Sequence, residues 1–373
     1  MDKEKVMNPS VLYRLEKDLQ PHFAHLGKWQ VQGLAIAVLG LVSEGNCHLS
    51  GMAESLPSLG NPHTVKTRLK RWLTNPRIEK MDLSYAWLRW VFERFKTQRP
   101  ILLVDETKLG THLGVMIVSL AYGKRAIPLV WRCYHGNSAA DYPQQGQVLL
   151  IYGLLAHVLS CLPAGMRPVV QMDRGLGHTS AMLKVLQALD VDFLVRVKSN
   201  AYFTTQRGRC QTLGNMIRKG TTFTARGTLF KKRPIPGYIR LIWQPDQTEP
   251  WCLFTNLRWL SGRQYAIRWW QEESFKDLKS GGWQWGDSKI RCPQRMDRLI
   301  FVMTLAYAWM LSLGTQLTRA SPTVKRPIVN TYDFQRLGLF RLGRRWFKRL
   351  LLLTPHQLRL QLIFRPPRLL GYG

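Results

Sequence analysis

The stretch from Tyr265 to Lys279 reads YAIRWWQEESFKDLK. Its polar members Tyr265, Arg268, Glu272, Lys276 and Lys279 follow one another at steps of 3, 4, 4 and 3 residues. On a helix advancing by about 100° per residue, all five fall on one face. One carboxylate among a tyrosine, an arginine and two lysines makes a poor core face. It suits a site that holds a metal through the carboxylate and phosphates through the cations. Glu273 is the rival carboxylate, but it points about 100° away from the row. The plainer reading is a solvated helix with ion pairs four residues apart. Two aspartates upstream, Asp105 and Asp173, tip the balance, because each ends an apolar, strand-like run. Either alone would pass for a loop aspartate capping something local. With Glu272 they make a trio able to bind two divalent cations about 4 Å apart. One ion would activate water or a terminal 3′-hydroxyl, and the other would stabilise the leaving 3′-oxygen during in-line attack on a phosphodiester. Oxygen ligands and a phosphate substrate favour Mg²⁺, with Mn²⁺ as a substitute. Arg268 and Lys279 would hold phosphates near the cut, Tyr265 would hydrogen-bond one, and Lys276 would add charge.

The elements that must position these groups follow from periodicity and punctuation. Residues 1–96 read as helices, Val11–Leu26, Lys28–Glu44, Gly51–Leu56, Thr64–Leu73 and Asp82–Phe95, with turn signals between them. Lys66, Arg68, Lys70 and Arg71 interleave with Val65, Leu69, Trp72 and Leu73, as in the second helix of a helix-turn-helix unit; a basic surface helix has the same pattern. In residues 97–200, ILLVDETKLG reads as a strand ending at Asp105, followed by two strands meeting at Gly123-Lys124. A helix from Tyr142 to Leu159 is entered through Asn137-Ser138. A short strand then ends at Asp173, and a helix from His178 to Leu189 and a strand at Phe193–Lys198 complete the set. Three strands, helix, strand, helix, strand is the order of a ribonuclease-H-like α/β core. Its first and fourth strands are neighbours, so Asp105 and Asp173 are expected to converge. Residues 201–258 hold short β-like runs and read as a β-rich insertion into that core. Lys231, Lys232 and Arg233 there suit phosphate contacts. Trp243, Trp251 and Trp259 are candidates for stacking on an unpaired base, with core packing as the ordinary alternative. Residues 259–318 carry the signature helix and a closing apolar helix. Residues 319–373 form a basic helical segment, in which Arg344 and Arg345 would grip DNA or a second protomer, and the last sixteen residues read as a partly ordered tail.

A net charge of +31 on 373 residues names a polyanion as partner, nucleic acid first. The apolar content of 45% excludes global disorder. The six cysteines form no Cys-x-x-Cys pair and read as reduced, cytosolic packing residues. No secretory leader is visible in MDKEKVMNPS. Leu299–Leu317 is apolar enough for a membrane span, but a helix buried beside a sheet has the same composition.

The spacing Tyr-x2-Arg-x3-Glu-x6-Lys resembles the signature of bacterial insertion-sequence transposases of the DDE superfamily, in the branch with hairpin-type cut-and-paste members. The likeness covers roughly residues 97–310. It implies double-stranded DNA as substrate, recognition of terminal inverted repeats, a homodimer in a paired-end complex, endonucleolytic release of the ends through hairpins, and their joining to target DNA. It also implies action in the cytoplasm, with no membrane partner. The competing reading is a catalytically silent relative that binds DNA as a regulator, though such a protein has no need of all three carboxylates.

Overall fold

The computed structural model describes residues 9–136, 146–258 and 261–365. Helix α1 (Pro9–Leu19) is shorter than its apolar periodicity suggests. Pro21 ends it, because proline offers no N–H and its ring clashes with the carbonyl four residues back. Helix α2 (Lys28–Glu44) has the expected bounds, closed by Gly45 at φ 80°. Helix α3 (Leu49–Glu54) and helix α4 (Pro62–Thr74) pack together across a short 3₁₀ turn, and Asn61 caps α4 by accepting from the His63 amide. Val65, Leu69, Trp72 and Leu73 form the buried face of α4. Helix α5 (Lys80–Arg94) leads to the sheet. These helices do not form a separate core: one apolar core runs from Val11 to Leu362.

Strands β1 (Ile101–Leu109), β2 (Leu113–Tyr122) and β3 (Arg125–His135) form an antiparallel meander. Gly123 and Lys124 join β2 to β3 with φ of 56° and 64°, the positive pair that a tight hairpin of matching twist requires. Helix α6 is described from Gly146 to Ser160; its expected entrance at Asn137-Ser138 and its start at Tyr142 lie outside the described residues. Strand β4 (Val169–Met172), helix α7 (Ser180–Ala188) and strand β5 (Asp192–Arg196) follow. Strand β4 lies between β1 and β5 and is parallel to both. One expectation needs correcting: β1 does not end at Asp105 but continues to Leu109, because β2 pairs with it that far. What ends there is the parallel ladder, whose last pair is Val104 with Met172.

The insertion contributes β6 (Tyr202–Thr205), β7 (Cys210–Thr212), β8 (Thr222–Leu229), β9 (Ile235–Ile242) and β10 (Trp251–Thr255). It is β-rich as expected, but it is not a body apart. Strand β10 pairs antiparallel with β5, giving a ten-stranded sheet in the order β3-β2-β1-β4-β5-β10-β9-β8-β6-β7. That pairing covers the backbone edge of β5 that the core alone would leave open.

After the sheet come α8 (Gly262–Tyr265), a 3₁₀ turn (Ala266–Arg268) and α9 (Trp269–Leu278). Helix α10 (Pro293–Arg319) contains the membrane-length apolar run, and that run is almost wholly buried in the protein. Helices α11 (Pro322–Lys325), α12 (Thr331–Arg336) and α13 (Leu339–Leu353) complete the fold. Helix α13 commits its apolar face to α10. The two approach so closely that a Cβ on Gly343 would clash with the Met310 carbonyl, and one on Gly314 with that of Leu339. Gly343→Ala is therefore expected to lower stability by about 1–3 kcal/mol, as overpacking does, read as a fall in the urea midpoint. In the described part of the tail, Leu358, Leu360 and Leu362 are buried and Arg359 pairs with Asp18. Residues 366–373 lie outside the described residues.

Candidate active site

Strand register makes the first half of the site. Asp105 and Asp173 each follow the last residue of the parallel ladder, so they stand level on neighbouring strands. Asp105 is buried, and its Oδ1 accepts the Glu106 amide at 2.9 Å. Asp173 opens the turn after β4, where its Oδ1 accepts the Leu176 amide at 3.0 Å. The backbone thus holds one oxygen of each carboxylate and leaves the other facing the site.

The second half comes from α8, the 3₁₀ turn and α9. Gln171 on β4 donates to the Gln264 carbonyl at 2.9 Å, and the Tyr265 hydroxyl donates to the Met172 carbonyl at 3.3 Å. Both tie the start of this segment to β4, the strand that leads into Asp173. The next turn brings in Arg268. Its Nη2 lies 3.1 Å from Asp105 Oδ2 and 3.7 Å from Asp173 Oδ2, and its Nη1 lies 3.1 Å from Glu272 Oε1. Three carboxylates far apart in sequence therefore surround one guanidinium. Burial pushes Asp105 up to about 7, although Arg268 and the Glu106 amide pull the other way; Glu272 and Asp173 add to the rise. Lys279 donates to Thr107 Oγ1 at 2.7 Å. Burial lowers its pKa, against the pull of Glu272 and Asp105. Thr107 was not singled out from sequence, yet it stands two residues beyond Asp105 on a strand, and that spacing puts both on one face.

The opposite face of α9 is anchored by groups that sequence reasoning missed. Asp277 Oδ2 accepts Arg125 Nε at 2.5 Å and the Tyr307 hydroxyl at 3.2 Å. Ser274 Oγ accepts the Ala126 amide at 2.6 Å, lies 3.1 Å from the Tyr307 hydroxyl oxygen, and donates to the Trp270 carbonyl at 2.9 Å. Helix α9 is thereby fastened to the start of β3 and to α10. Ser274 and Asp277 sit three residues apart on the helix that carries Glu272, which was the available signal. Arg125 gave none.

Other expected site residues lie elsewhere. Tyr265 is buried edge-on against Trp251, 5.5 Å between ring centroids, with its hydroxyl committed to backbone rather than open to a phosphate. Lys276 leans off the row: it pairs with Glu273 at 2.7 Å and lies 5.6 Å from the exposed Trp269 ring. On α4, Lys70 and Arg71 are exposed, while Lys66 and Arg68 are half-buried and donate to Ser50 and Gln32. Lys231, Lys232 and Arg233 are exposed in the β8–β9 hairpin. Arg345 is exposed and pairs with Asp333 at 2.8 Å. Arg344 differs from expectation: it is tucked against Gly45 and over the Trp283 ring at 5.3 Å, so packing already uses its guanidinium. Trp243 is half-buried, donating to the Gln247 carbonyl at 3.1 Å, and Trp251 packs on Tyr265; neither ring stands free. Trp259 lies outside the described residues.

The donor chemistry fits a hard divalent cation, since the three side chains offer only carboxylate oxygens. Among the described residues, however, no three His, Cys, Asp or Glu side chains close on a single point. The trio is spaced around Arg268 instead. A family model described as a transposase DDE domain matches residues 97–309, more than half of the chain and the whole segment from β1 through α9. No curated protein matches the chain.

Proposed function

The chain belongs to the family of transposases with a DDE domain, and from that premise we propose that it is an active DNA transposase using Asp105, Asp173 and Glu272. Membership makes it a transposase of a family whose domain cleaves nucleic acid with divalent metal. The reading of this chain as catalytically competent rests on one observation: all three carboxylates meet on the Arg268 guanidinium at the end of the β1–β4 ladder. They would hold Mg²⁺ or Mn²⁺, which when bound activates the attacking oxygen and steadies the leaving one. The residues of the chain do the rest. Backbone amides orient the two aspartates, and Arg268 and Lys279 supply cations where the cut phosphate would lie. The exposed Lys70 and Arg71 on α4 and the Lys231–Arg233 hairpin extend a basic surface for the rest of the duplex. In this reading the DNA is the element's own terminal inverted repeats, a homodimer pairs the two ends in the cytoplasm, hairpins release them, and the freed ends join target DNA.

The test is a cleavage assay on a labelled fragment carrying the DNA that borders this gene. With Mg²⁺ we expect cutting at the repeat boundary and a fast-migrating hairpin product. Chelation with EDTA should abolish cutting, and added Mn²⁺ should restore it. Binding with no cutting in either metal would refute the proposal of an active enzyme. Cutting that yields only open ends would remove the hairpin step and leave the rest standing.

A further inference from the structure

The oxygens that Arg268 contacts are those a bound cation would need. Asp105 and Asp173 each have their Oδ1 engaged by a backbone amide. Each has its Oδ2 free of backbone, and Arg268 faces both of these together with Glu272 Oε1. Arginine and a divalent ion therefore compete for the same ligands. The hold of the arginine is incomplete. It makes a single contact to each carboxylate where the strongest guanidinium pairs are two-pronged. One of those contacts is 3.7 Å, too long for a hydrogen bond, and its buried Nε has no partner among the described residues. One positive charge also balances only part of three carboxylates. A phosphodiester oxygen pair would offer this guanidinium the two-pronged partner it lacks.

We propose that Arg268 is a positioning residue that exchanges between the carboxylate trio and a DNA phosphate, so that divalent metal and DNA bind cooperatively. This rests on the reading of the trio as the metal site. Without DNA, Arg268 holds the ligands in place and weakens metal binding. A phosphate that draws Arg268 away frees the three oxygens. By linkage, DNA then strengthens metal binding by the same factor as metal strengthens DNA binding. The device keeps the cutting centre poorly loaded until a substrate is seated.

The experiment is a Mn²⁺ titration of the full chain, with free Mn²⁺ read by electron paramagnetic resonance and no cleavage measured. Parent, Arg268→Ala, Arg268→Lys and Asp105→Asn are compared, with and without duplex DNA of the bordering sequence. Without DNA, Arg268→Ala should bind Mn²⁺ about tenfold or more tighter than the parent, within the usual span of such couplings, and Arg268→Lys should fall between. DNA should raise the affinity of the parent and leave that of Arg268→Ala nearly unchanged. A residue that merely supported the fold would shift the DNA-free affinity the other way when removed. Equal or weaker Mn²⁺ binding by folded Arg268→Ala overturns the proposal, as does an equal DNA effect on both proteins. Should the alanine variant fail to fold, Arg268→Lys decides by the same criterion. Asp105→Asn separates the two levels. If it binds Mn²⁺ as the parent does, the trio is not the metal site and the functional reading falls with the exchange. If it loses Mn²⁺ while Arg268→Ala gains nothing, only the exchange falls.

Discussion

Asp105→Asn is expected to abolish strand cleavage and leave DNA binding in place, an effect as large as any expected of a single substitution here. The amide keeps the size of the side chain and can still accept the Glu106 amide that orients it. It removes the charge that would hold the cation. We expect cleavage to fall by about a thousandfold or more, equivalent to about 4 kcal/mol of transition-state stabilisation. Stability should change little or rise, because the substitution also removes a charge that burial disfavours; the pKa of Asp105 is pushed up to about 7. Asp173→Asn and Glu272→Gln should lose as much, and the double variants little more, because groups acting as a unit are not additive. A gel assay of cleavage beside a mobility-shift assay of binding checks this. Cutting within tenfold of the parent in any of the three would remove that residue from the centre.

The second large effect lies on the other side of the helix. Asp277→Ala leaves the buried Arg125 with only the half-buried Glu273 carboxylate, 3.9 Å away, and takes one acceptor from Tyr307. Breaking a buried pair at one partner costs about 3–5 kcal/mol, since the remaining charge stays desolvated, and here that cost falls on the packing of α9 against β3 and α10. We expect a large fall in the urea midpoint and loss of cleavage even below that midpoint, because Glu272 rides on the same helix. Replacing both partners, Arg125→Met with Asp277→Leu, should recover much of the stability, since it leaves no orphaned charge. A single alanine variant as stable as the parent would show that this contact is not what fixes α9.

Periodicity and punctuation gave the elements. Helix α2 was legible to its last residue because apolar spacing and Gly45 are local signals. The three carboxylates were legible because the aspartates follow apolar runs and Glu272 sits in a row of fixed spacing. The extent of β1 was not legible, because the residues beyond Asp105 are held by β2 and not by their own pattern. The joining of the insertion to the core sheet depends on β10 meeting β5, a pairing that neither strand declares alone. The same limit applies to charges. A lysine or arginine looks alike in sequence whether it faces solvent, as Lys70 does, or lies over a tryptophan, as Arg344 does. The spacing of Arg268 makes it a candidate phosphate ligand, yet only the folded chain placed it among three carboxylates drawn from β1, the turn after β4 and α9. By itself the sequence determined residue types, local periods and breaks, and with them most elements and the catalytic candidates. Tertiary structure decided which charges meet, because electrostatic contact depends on distances closed by strand register and helix packing across more than a hundred residues.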